Sequence, residues 1–310
     1  MQARCRLLIR LHHTPSLMKV LLSLLVWPVL LVSSCAILAV GFQRQEDVQV
    51  LGHALKPELV YFNLSYLWII CWLLLLERVM PYRTQWQHSD GQLGADLGHT
   101  LLNKGLVQFT IVQLMGLPFF QHREASWLAG QPLLVQAGVG LLAAEFGLYW
   151  AHRLSHEWPL LWRFHAVHHS VKRLWLVNTG RFHFVDSNLS VLASLPFLLG
   201  SGISFDAIIL VSAITAYIGV LTHCNIETRC GPLSYIFNTP NLHRWHHSMK
   251  LEEGNRNYGQ NLVLWDQLFG TFFKQPVERL GEIGIPEKMP SRWWSQLWVP
   301  FVWRRYQREP

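Results

Sequence analysis

Residues 20–40 read VLLSLLVWPVLLVSSCAILAV, a run of 21 positions without a charged residue. A helix needs about 20 predominantly apolar residues to cross the hydrocarbon core of a bilayer. The run follows Arg4, Arg6, Arg10 and Lys19, as in a signal peptide, but no clean small-residue cleavage site comes after it. More apolar runs occur later in the chain. We therefore predict an uncleaved membrane anchor.

Three further apolar runs are long enough to form membrane helices. They lie near residues 59–76, 105–121 and 132–151, and only Glu145 interrupts the last of them. A fifth apolar region, 188–222, contains Pro196, Gly200 and Gly202, which break a straight helix. This region favours a re-entrant or short membrane hairpin, with two full spans as the alternative. The sequence thus predicts about four spans within a transmembrane region, residues 1–151.

The composition excludes most classes of soluble protein. Apolar residues make up 51% of the chain and charged residues 15%, whereas soluble domains carry about 25% charged residues. The net charge is 26 − 19 = +7, but Lys and Arg are scattered among aromatic residues. Such a distribution favours contact with an anionic membrane surface and gives no support for a nucleic-acid partner. The five cysteines are interpreted as reduced packing residues.

The positive charges in the loops predict the orientation of the spans, because cytoplasmic loops carry an excess of Lys and Arg. The N-terminus is basic, and so is the loop after the second predicted span. A further basic group follows the fourth predicted span and consists of Arg153, Arg163, Lys172, Arg173 and Arg181. Both termini and the polar C-terminal half are therefore expected on the cytoplasmic side.

The remaining chain is predicted to form a cap on the membrane region. Residues 152–275, which include the membrane hairpin, are helix-permissive and show no period-two strand pattern outside it. Residues 276–310 are rich in Trp and Arg, as expected of an interfacial C-terminal tail; packing on the cap is the alternative. The predicted fold class is an all-α integral membrane protein with a cytosolic helical cap.

Three histidine clusters carry the chemistry. They are His152-Arg-Leu-Ser-His156, His165-Ala-Val-His168-His169 and His243-Arg-Trp-His246-His247. Residues three and four apart share one face of a helix, so each cluster is expected to present its imidazoles on one side. Convergent imidazoles are what a metal ion requires. The isolated histidines are interpreted as core or surface residues: His12, His13, His53, His88, His99 and His122.

Eight clustered imidazoles are more than a single ion uses. A structural zinc ion takes four ligands, and a catalytic zinc ion takes three plus water. Two ions with four or more imidazoles each account for the number, and such sites suit five- or six-coordinate iron better than tetrahedral zinc. The order of metal affinities does not by itself select iron. The sequence contains no H-E-x-x-H, G-x-S-x-G, P-loop or G-x-G-x-x-G motif.

The order of these clusters, with the local sequences YWAHRLSH (149–156), LWRFHAVHHS (161–170) and NYGQNLVLWDQLFGT (257–271), resembles the fatty acid hydroxylase / sterol desaturase superfamily. The resemblance covers about residues 55–275 and is bacterial in style. It implies two further metal ligands, His183 in an Arg181-x-His183 element and His223 in a His223-x-Asn225 element. Phe184 departs from the family, which usually has proline after the first of these histidines.

The resemblance also implies an activity. Members of this superfamily are membrane oxygenases with two iron ions held by histidines, and they use dioxygen and two electrons on an unactivated C–H bond. It therefore implies hydroxylation or desaturation of a fatty acyl, sterol or related lipid. A ferredoxin or a cytochrome b5-type protein is the expected electron donor. The expected location is a bacterial inner membrane with the active site on the cytoplasmic side, and zinc is the expected substitute for iron after purification.

Residues beside the predicted ligands are expected to orient them. Glu145 lies two helical turns before His152 on the same face, and an acidic residue inside a span is expensive unless it is functional. Its alternative role is helix packing. We expect the same orienting role for Asp186, Asn225 and Asp266.

Two other function classes fit the same clusters. One is a membrane metal-binding or transport protein, and the other is a catalytically silent scaffold of the same fold. Transporters place ionisable residues at the bilayer midplane within inverted repeats. The histidine clusters here lie beyond the ends of the predicted spans, and no repeat is visible.

Overall fold

The computed structural model describes residues 17–115 and 126–307. Within these residues the chain is mostly helical, with one hairpin of two short strands, β1 (Val48–Val50) and β2 (His53–Leu55). The longer helices are α1 (Leu17–Gln43), α2 (Pro57–Val79), α3 (Leu93–Met115), α4 (Leu133–Glu157), α5 (Pro159–His169), α6 (Phe184–Gly200) and α7 (Phe205–His223). Four short helices follow: α8 (Pro240–His246), α9 (Leu251–Gly254), α10 (Leu264–Leu268) and α11 (Trp293–Trp298).

Four of the described helices are long and apolar enough to cross a membrane: α1, α2, α4 and α7. Three of them contain the predicted spans near 20–40, 59–76 and 132–151. The predicted span 105–121 is different, because its first part belongs to α3, which is not among the four, and residues 116–121 lie outside the described residues. The fourth membrane-length helix is therefore α7, which belongs to the region predicted as a hairpin.

The region predicted as a hairpin consists of α6 and α7, joined by a tight turn. The sequence predicts a break at Pro196, but α6 continues past this residue to Gly200. The chain turns instead at Gly202, whose φ of +76° favours glycine. The Ser204 hydroxyl then accepts a hydrogen bond from the Ala207 N–H and begins α7.

The long helices pack closely around α4. Gly147 marks the tightest contact, because a Cβ at this position would lie 2.1 Å from the carbonyl oxygen of Ala193 on α6. On the other side α1 and α2 pack together at Gly41, where a Cβ would come within 2.9 Å of the Tyr61 Cβ. Gly140 of α4 likewise faces Val211 of α7, so α4 lies against both α6 and α7. The ends of α4 and α7 carry His156 and His223, and α6 begins directly after His183.

The cap rests on the ends of these helices and includes α5, α8 and the 3₁₀ turn Leu176–Gly180. The C-terminal segment packs on it with one side, because Val299 and Trp303 are buried beside Ala166 of α5. Its other side is exposed and aromatic, at Trp298 and Phe301 among others. The tail therefore combines contact with the cap and an open apolar face.

Candidate metal centre

Nine imidazoles form two groups, within each of which the candidate ligand nitrogens lie within 4.8 Å of one another. Group one consists of His152, His156, His165, His169 and His246. Group two consists of His168, His223, His243 and His247. All are buried except His156, which is partly exposed. The groups are neighbours, since the rings of His169 and His247 stack with their centroids 4.4 Å apart.

The two H-x-x-H-H motifs contribute to the groups reciprocally. On α5, His165 and His169 belong to group one and His168 belongs to group two. On α8 and its C-terminal residue, His243 and His247 belong to group two and His246 to group one. Within each motif the three rings are neighbours, with centroids no more than 5.6 Å apart, but they divide between the two groups. Adjacent helical residues are about 100° apart, so neighbouring histidines diverge to the two groups.

The distances within the groups match those between ligands of one ion. The Nε2 atom of His165 lies 3.0 Å from that of His152 and 3.1 Å from that of His169. In group two, Nε2 of His243 lies 2.8 Å from that of His223 and 3.1 Å from that of His247. Two nitrogens that each bind one ion at about 2.1 Å, at a right angle, are about 3.0 Å apart.

Six of the nine imidazoles are oriented by a hydrogen bond from the other ring nitrogen. Each Nδ1–H donates to an oxygen atom, which fixes the tautomer and leaves the Nε2 lone pair free to bind a metal. The acceptors are the Tyr258 carbonyl for His152, Asn255 for His156, Asp186 for His165, the Arg181 carbonyl for His168, Asn178 for His223 and the Arg256 carbonyl for His246.

These residues fit a bound metal by charge and by hydrogen bonding. Burial lowers the pKa of five cap histidines well below its usual value, which keeps them in the neutral form that ligates metals: His168, His169, His243, His246 and His247. Among the described residues, no hydrogen-bond partner reaches the buried Nε2 atoms of His156 and His246. A buried nitrogen without a partner is costly, and a metal ion satisfies it.

Asp186 has the contact expected of it. It lies in the first turn of α6, and its carboxylate is 2.8 Å from Nδ1 of His165, with both side chains buried. A carboxylate at this nitrogen holds the ring in place and makes the opposite nitrogen more basic.

Glu145 and Asp266 support the histidines indirectly, through hydrogen bonds to the loop 258–261. Glu145 contacts no imidazole; it accepts hydrogen bonds from the backbone N–H groups of Gln260 and Asn261 and from the Asn261 side chain. Asp266 accepts hydrogen bonds from the N–H of Tyr258 and of the next residue. Both carboxylates therefore brace the loop whose Tyr258 carbonyl holds His152.

His183 and Asn225 lie outside both groups. His183 precedes α6 as its N-cap, with Nδ1 accepting from the Val185 N–H and Nε2 3.2 Å from the Leu297 carbonyl. Phe184 begins that helix directly, and the histidine is used to cap it. The Asn225 side chain binds the backbone of Arg83 and no histidine. We therefore omit His183 from the proposed ligand set, while His223 lies in group two.

The isolated histidines of the described chain also lie outside the groups. His99, for example, is buried and contacts Gln296. His12, His13 and His122 lie outside the described residues. Sequence reasoning missed Asn178, Asn255 and the three carbonyl acceptors, because each is brought to its histidine only by the folded chain.

The sequence of this chain is similar to those of known proteins. The sequence model of the family described as "Fatty acid hydroxylase" matches residues 137–271. An ornithine lipid hydroxylase, OlsE from Rhizobium tropici, is 44% identical over 291 residues, which are 90% of this chain and 84% of that protein. The alkylglycerol monooxygenase of Xenopus tropicalis is 32% identical over 131 residues, 42% of this chain and 29% of that protein.

A very-long-chain aldehyde decarbonylase of Oryza sativa subsp. indica, GL1-6, is 27% identical over 169 residues, 51% of this chain and 26% of that protein. No solved structure matches the chain. The matched segment 137–271 contains all nine imidazoles of the two groups. With that segment and a 44% identical relative along most of its length, the chain belongs to the fatty acid hydroxylase family.

Proposed function

We propose that this protein is a membrane oxygenase that holds one iron ion in each histidine group and hydroxylates a lipid. The observation that carries the proposal is the convergence of nine imidazoles in two adjacent groups, six of them oriented through Nδ1. Neither a hydrolase nor a proton relay requires so many neutral imidazoles with their Nε2 atoms facing a common point. The fatty acid hydroxylase family and its lipid-hydroxylating relative support the same reaction class.

Iron fits the groups better than zinc. Five and four imidazoles exceed the three protein ligands of a catalytic zinc ion, and an all-imidazole set suits a metal with five or six coordination positions. Bound iron supplies the activation of dioxygen and the attack on an unactivated C–H bond, with two electrons from outside. Zinc is expected to replace iron in protein purified without added iron.

The protein itself orients the ligand histidines and excludes water from the metal centre. Asp186 and the carbonyl of Tyr258 hold His165 and His152, respectively, at their Nδ1 atoms. Aromatic rings line the groups: Phe182 stacks on His168 with centroids 3.9 Å apart, and Tyr258 lies 5.2 Å from His156. Buried, apolar walls protect reactive species from water and from side reactions.

The substrate class follows from the membrane and from the relatives. Because α4 is one of the four membrane-length helices and ends in His152 and His156, group one lies where a bilayer lipid can reach it. The 44% identical relative is named for hydroxylation of ornithine lipid, and the animal relatives are named for alkylglycerol oxidation. We propose an amino-acid-containing membrane lipid as substrate and an alcohol as product.

The active site is proposed to face the cytoplasm of a bacterial cell, where a ferredoxin or a cytochrome b5-type protein supplies electrons. Loop charges support this orientation. The test is cysteine labelling at Lys250, an exposed cap residue, in a variant that lacks the native cysteines. Modification by a membrane-impermeant reagent only after cell lysis is expected. Modification in intact cells would contradict the orientation and the electron supply.

The central experiment combines metal analysis with lipid mass spectrometry. Protein from iron-rich medium is expected to contain about two metal ions per chain. Cells that express it are expected to contain a lipid that has gained one oxygen atom, absent when His243 is replaced by Ala. Metal binding without any lipid product would favour a metal-binding or transport protein. Less than one ion per chain would contradict the two-metal centre.

A further inference from the structure

A cavity of about 390 Å³ lies where α2 meets the cap, and we call it the boundary cavity. Its walls include Leu74, Glu77, Arg78, Trp86, Arg173 and Trp175. Ligand-binding cavities commonly measure about 300–1,000 Å³, so this one accommodates a small polar group. No imidazole of either histidine group is among its lining residues.

The boundary cavity opens at one end of a membrane-length helix. Arg78 is the penultimate residue of α2, and Leu74 lies one turn earlier with 44% of its surface exposed. The wall of the boundary cavity is thus apolar at Leu74, on the side toward the membrane helix, and charged at Arg78 and Arg173, on the side toward the cap. A molecule with an apolar chain and a polar head matches this change.

The charged walls favour an anionic group beside a cationic one. Arg78 is exposed, and no ion pair of the described chain includes it. Arg173 is 5% exposed, and its guanidinium stacks on Trp175 at 4.0 Å. Its Nη1 donates to the carbonyls of Trp86 and His88 and its Nη2 has Asp90 at 3.5 Å, while its buried Nε has no hydrogen-bond partner. Glu77 adds the single carboxylate among the lining residues. Two guanidinium groups bind a carboxylate or phosphate, and the carboxylate binds an ammonium group.

The same carboxylate connects the boundary cavity with group two. One oxygen of Glu77 accepts hydrogen bonds from the N–H groups of Leu176 and Asn225, both 2.8 Å long. Leu176 begins the 3₁₀ turn that carries Asn178, the acceptor for His223, and Asn225 follows His223 by two residues. The cavity and the support of a proposed metal ligand therefore share one side chain.

We propose that the boundary cavity binds the zwitterionic headgroup of the lipid substrate. Its carboxylate or phosphate lies between Arg78 and Arg173, its ammonium group contacts Glu77, and its acyl chains leave past Leu74 into the bilayer. This site assignment rests on the proposed function, because it names the class of lipid that the same enzyme takes. Headgroup recognition next to group two fixes the lipid relative to the metal centre.

The test is equilibrium binding of radiolabelled dodecanoyl-ornithine to the purified full chain in detergent. Arg78→Gln and Glu77→Gln are each expected to weaken binding about tenfold, because each removes a charge-assisted contact. The matched control is Arg229→Gln: Arg229 is also exposed but lines a different cavity. The amide oxygen of Glu77→Gln still accepts the two backbone hydrogen bonds, so an unchanged metal content shows that His223 remains supported.

Affinity for Arg78→Gln equal to that of the Arg229→Gln control would overturn the proposal. So would equal binding of dodecanoyl-ornithine amide, which lacks the carboxylate, or competition by free ornithine at the same concentrations, which would indicate a soluble zwitterion. Binding requires no turnover, so the two proposals can fail separately. Headgroup binding without any hydroxylated lipid contradicts only the function, and hydroxylation with binding insensitive to both substitutions contradicts only the cavity assignment.

Discussion

The carboxylate of Asp186 lies 2.8 Å from Nδ1 of His165, and the two side chains are 5% and 2% exposed. His165 is central in group one, since its Nε2 is within 3.1 Å of the Nε2 atoms of two other histidines. A buried carboxylate at one nitrogen increases the electron density at the other. Asp186 thus connects the start of α6 with His165 of α5, a candidate metal ligand.

Asp186→Ala is expected to lower metal affinity and lipid hydroxylation about 10–100-fold, the usual loss when the hydrogen-bond partner of a metal ligand is removed. Metal content after dialysis against a chelator measures the first effect and lipid mass spectrometry the second. Asp206→Asn is the control, because Asp206 is exposed in the first turn of α7. Retention of metal and product in Asp186→Ala would show that His165 needs no carboxylate.

Replacing His183 by Ala is expected to leave the metal content near two ions per chain. His183 lies outside both groups and caps α6, so its loss costs about 0.5–2 kcal/mol of stability. By contrast, His169→Ala and His243→Ala are each expected to remove most of the metal from their own group. Elemental analysis of the three variants decides the ligand set, and loss of metal from His183→Ala would restore this residue to it.

Metal removal is expected to lower the thermal unfolding temperature, because a bound ion stabilises only the folded chain. Chelation leaves nine close-packed imidazoles, eight of them buried, without the ions that their nitrogens would bind. The shift is expected in the native chain and in His88→Ala, whose histidine lies outside the groups. A metal-depleted chain with an unchanged unfolding temperature would contradict a role of the ions in holding the cap together.

Glu145→Ala is expected to destabilise the loop 258–261 and, through it, His152. The substitution leaves the N–H groups of the half-buried Gln260 and the buried Asn261 without this acceptor, and an unsatisfied buried donor costs about 1–3 kcal/mol. Glu145→Gln keeps an acceptor oxygen, so a smaller loss is expected. Unfolding temperature and metal content of the two variants are the measurements. Equal losses would show that the negative charge matters more than the hydrogen bonds.

Gly147→Ala is expected to separate α4 from α6, since the new Cβ would lie 2.1 Å from a backbone oxygen that cannot turn away. Overpacking costs about 1–3 kcal/mol. Gly138→Ala is the matched control on the same helix, because its new methyl group would have no neighbouring atom within 4 Å and alanine favours helices. The unfolding temperatures are expected to fall for the first variant only. The helices carry His152 and Asp186, so the metal content is expected to fall with it.

The sequence by itself determined the apolar helices of membrane length near 20–40, 59–76 and 132–151 and the spacing of the eight clustered histidines. Hydrophobic length and helical spacing are local properties, so a single segment displays them completely. The region predicted as a hairpin shows the limit, because its second half forms the membrane-length helix α7. Glycine and proline weaken a helix locally, but neighbouring helices decide where the chain turns.

Tertiary structure alone decided how the histidines divide into two groups and what orients them. His168 and His169 are adjacent in sequence yet belong to different groups, because His168 lies beside His223 at the end of α7, whereas His169 lies beside His156 of α4. The carbonyls of Tyr258, Arg181 and Arg256 carry no sequence signal, since every residue has one. Hydrogen bonds act over about 3 Å, a distance that only the packed chain creates between residues as far apart as His152 and Tyr258.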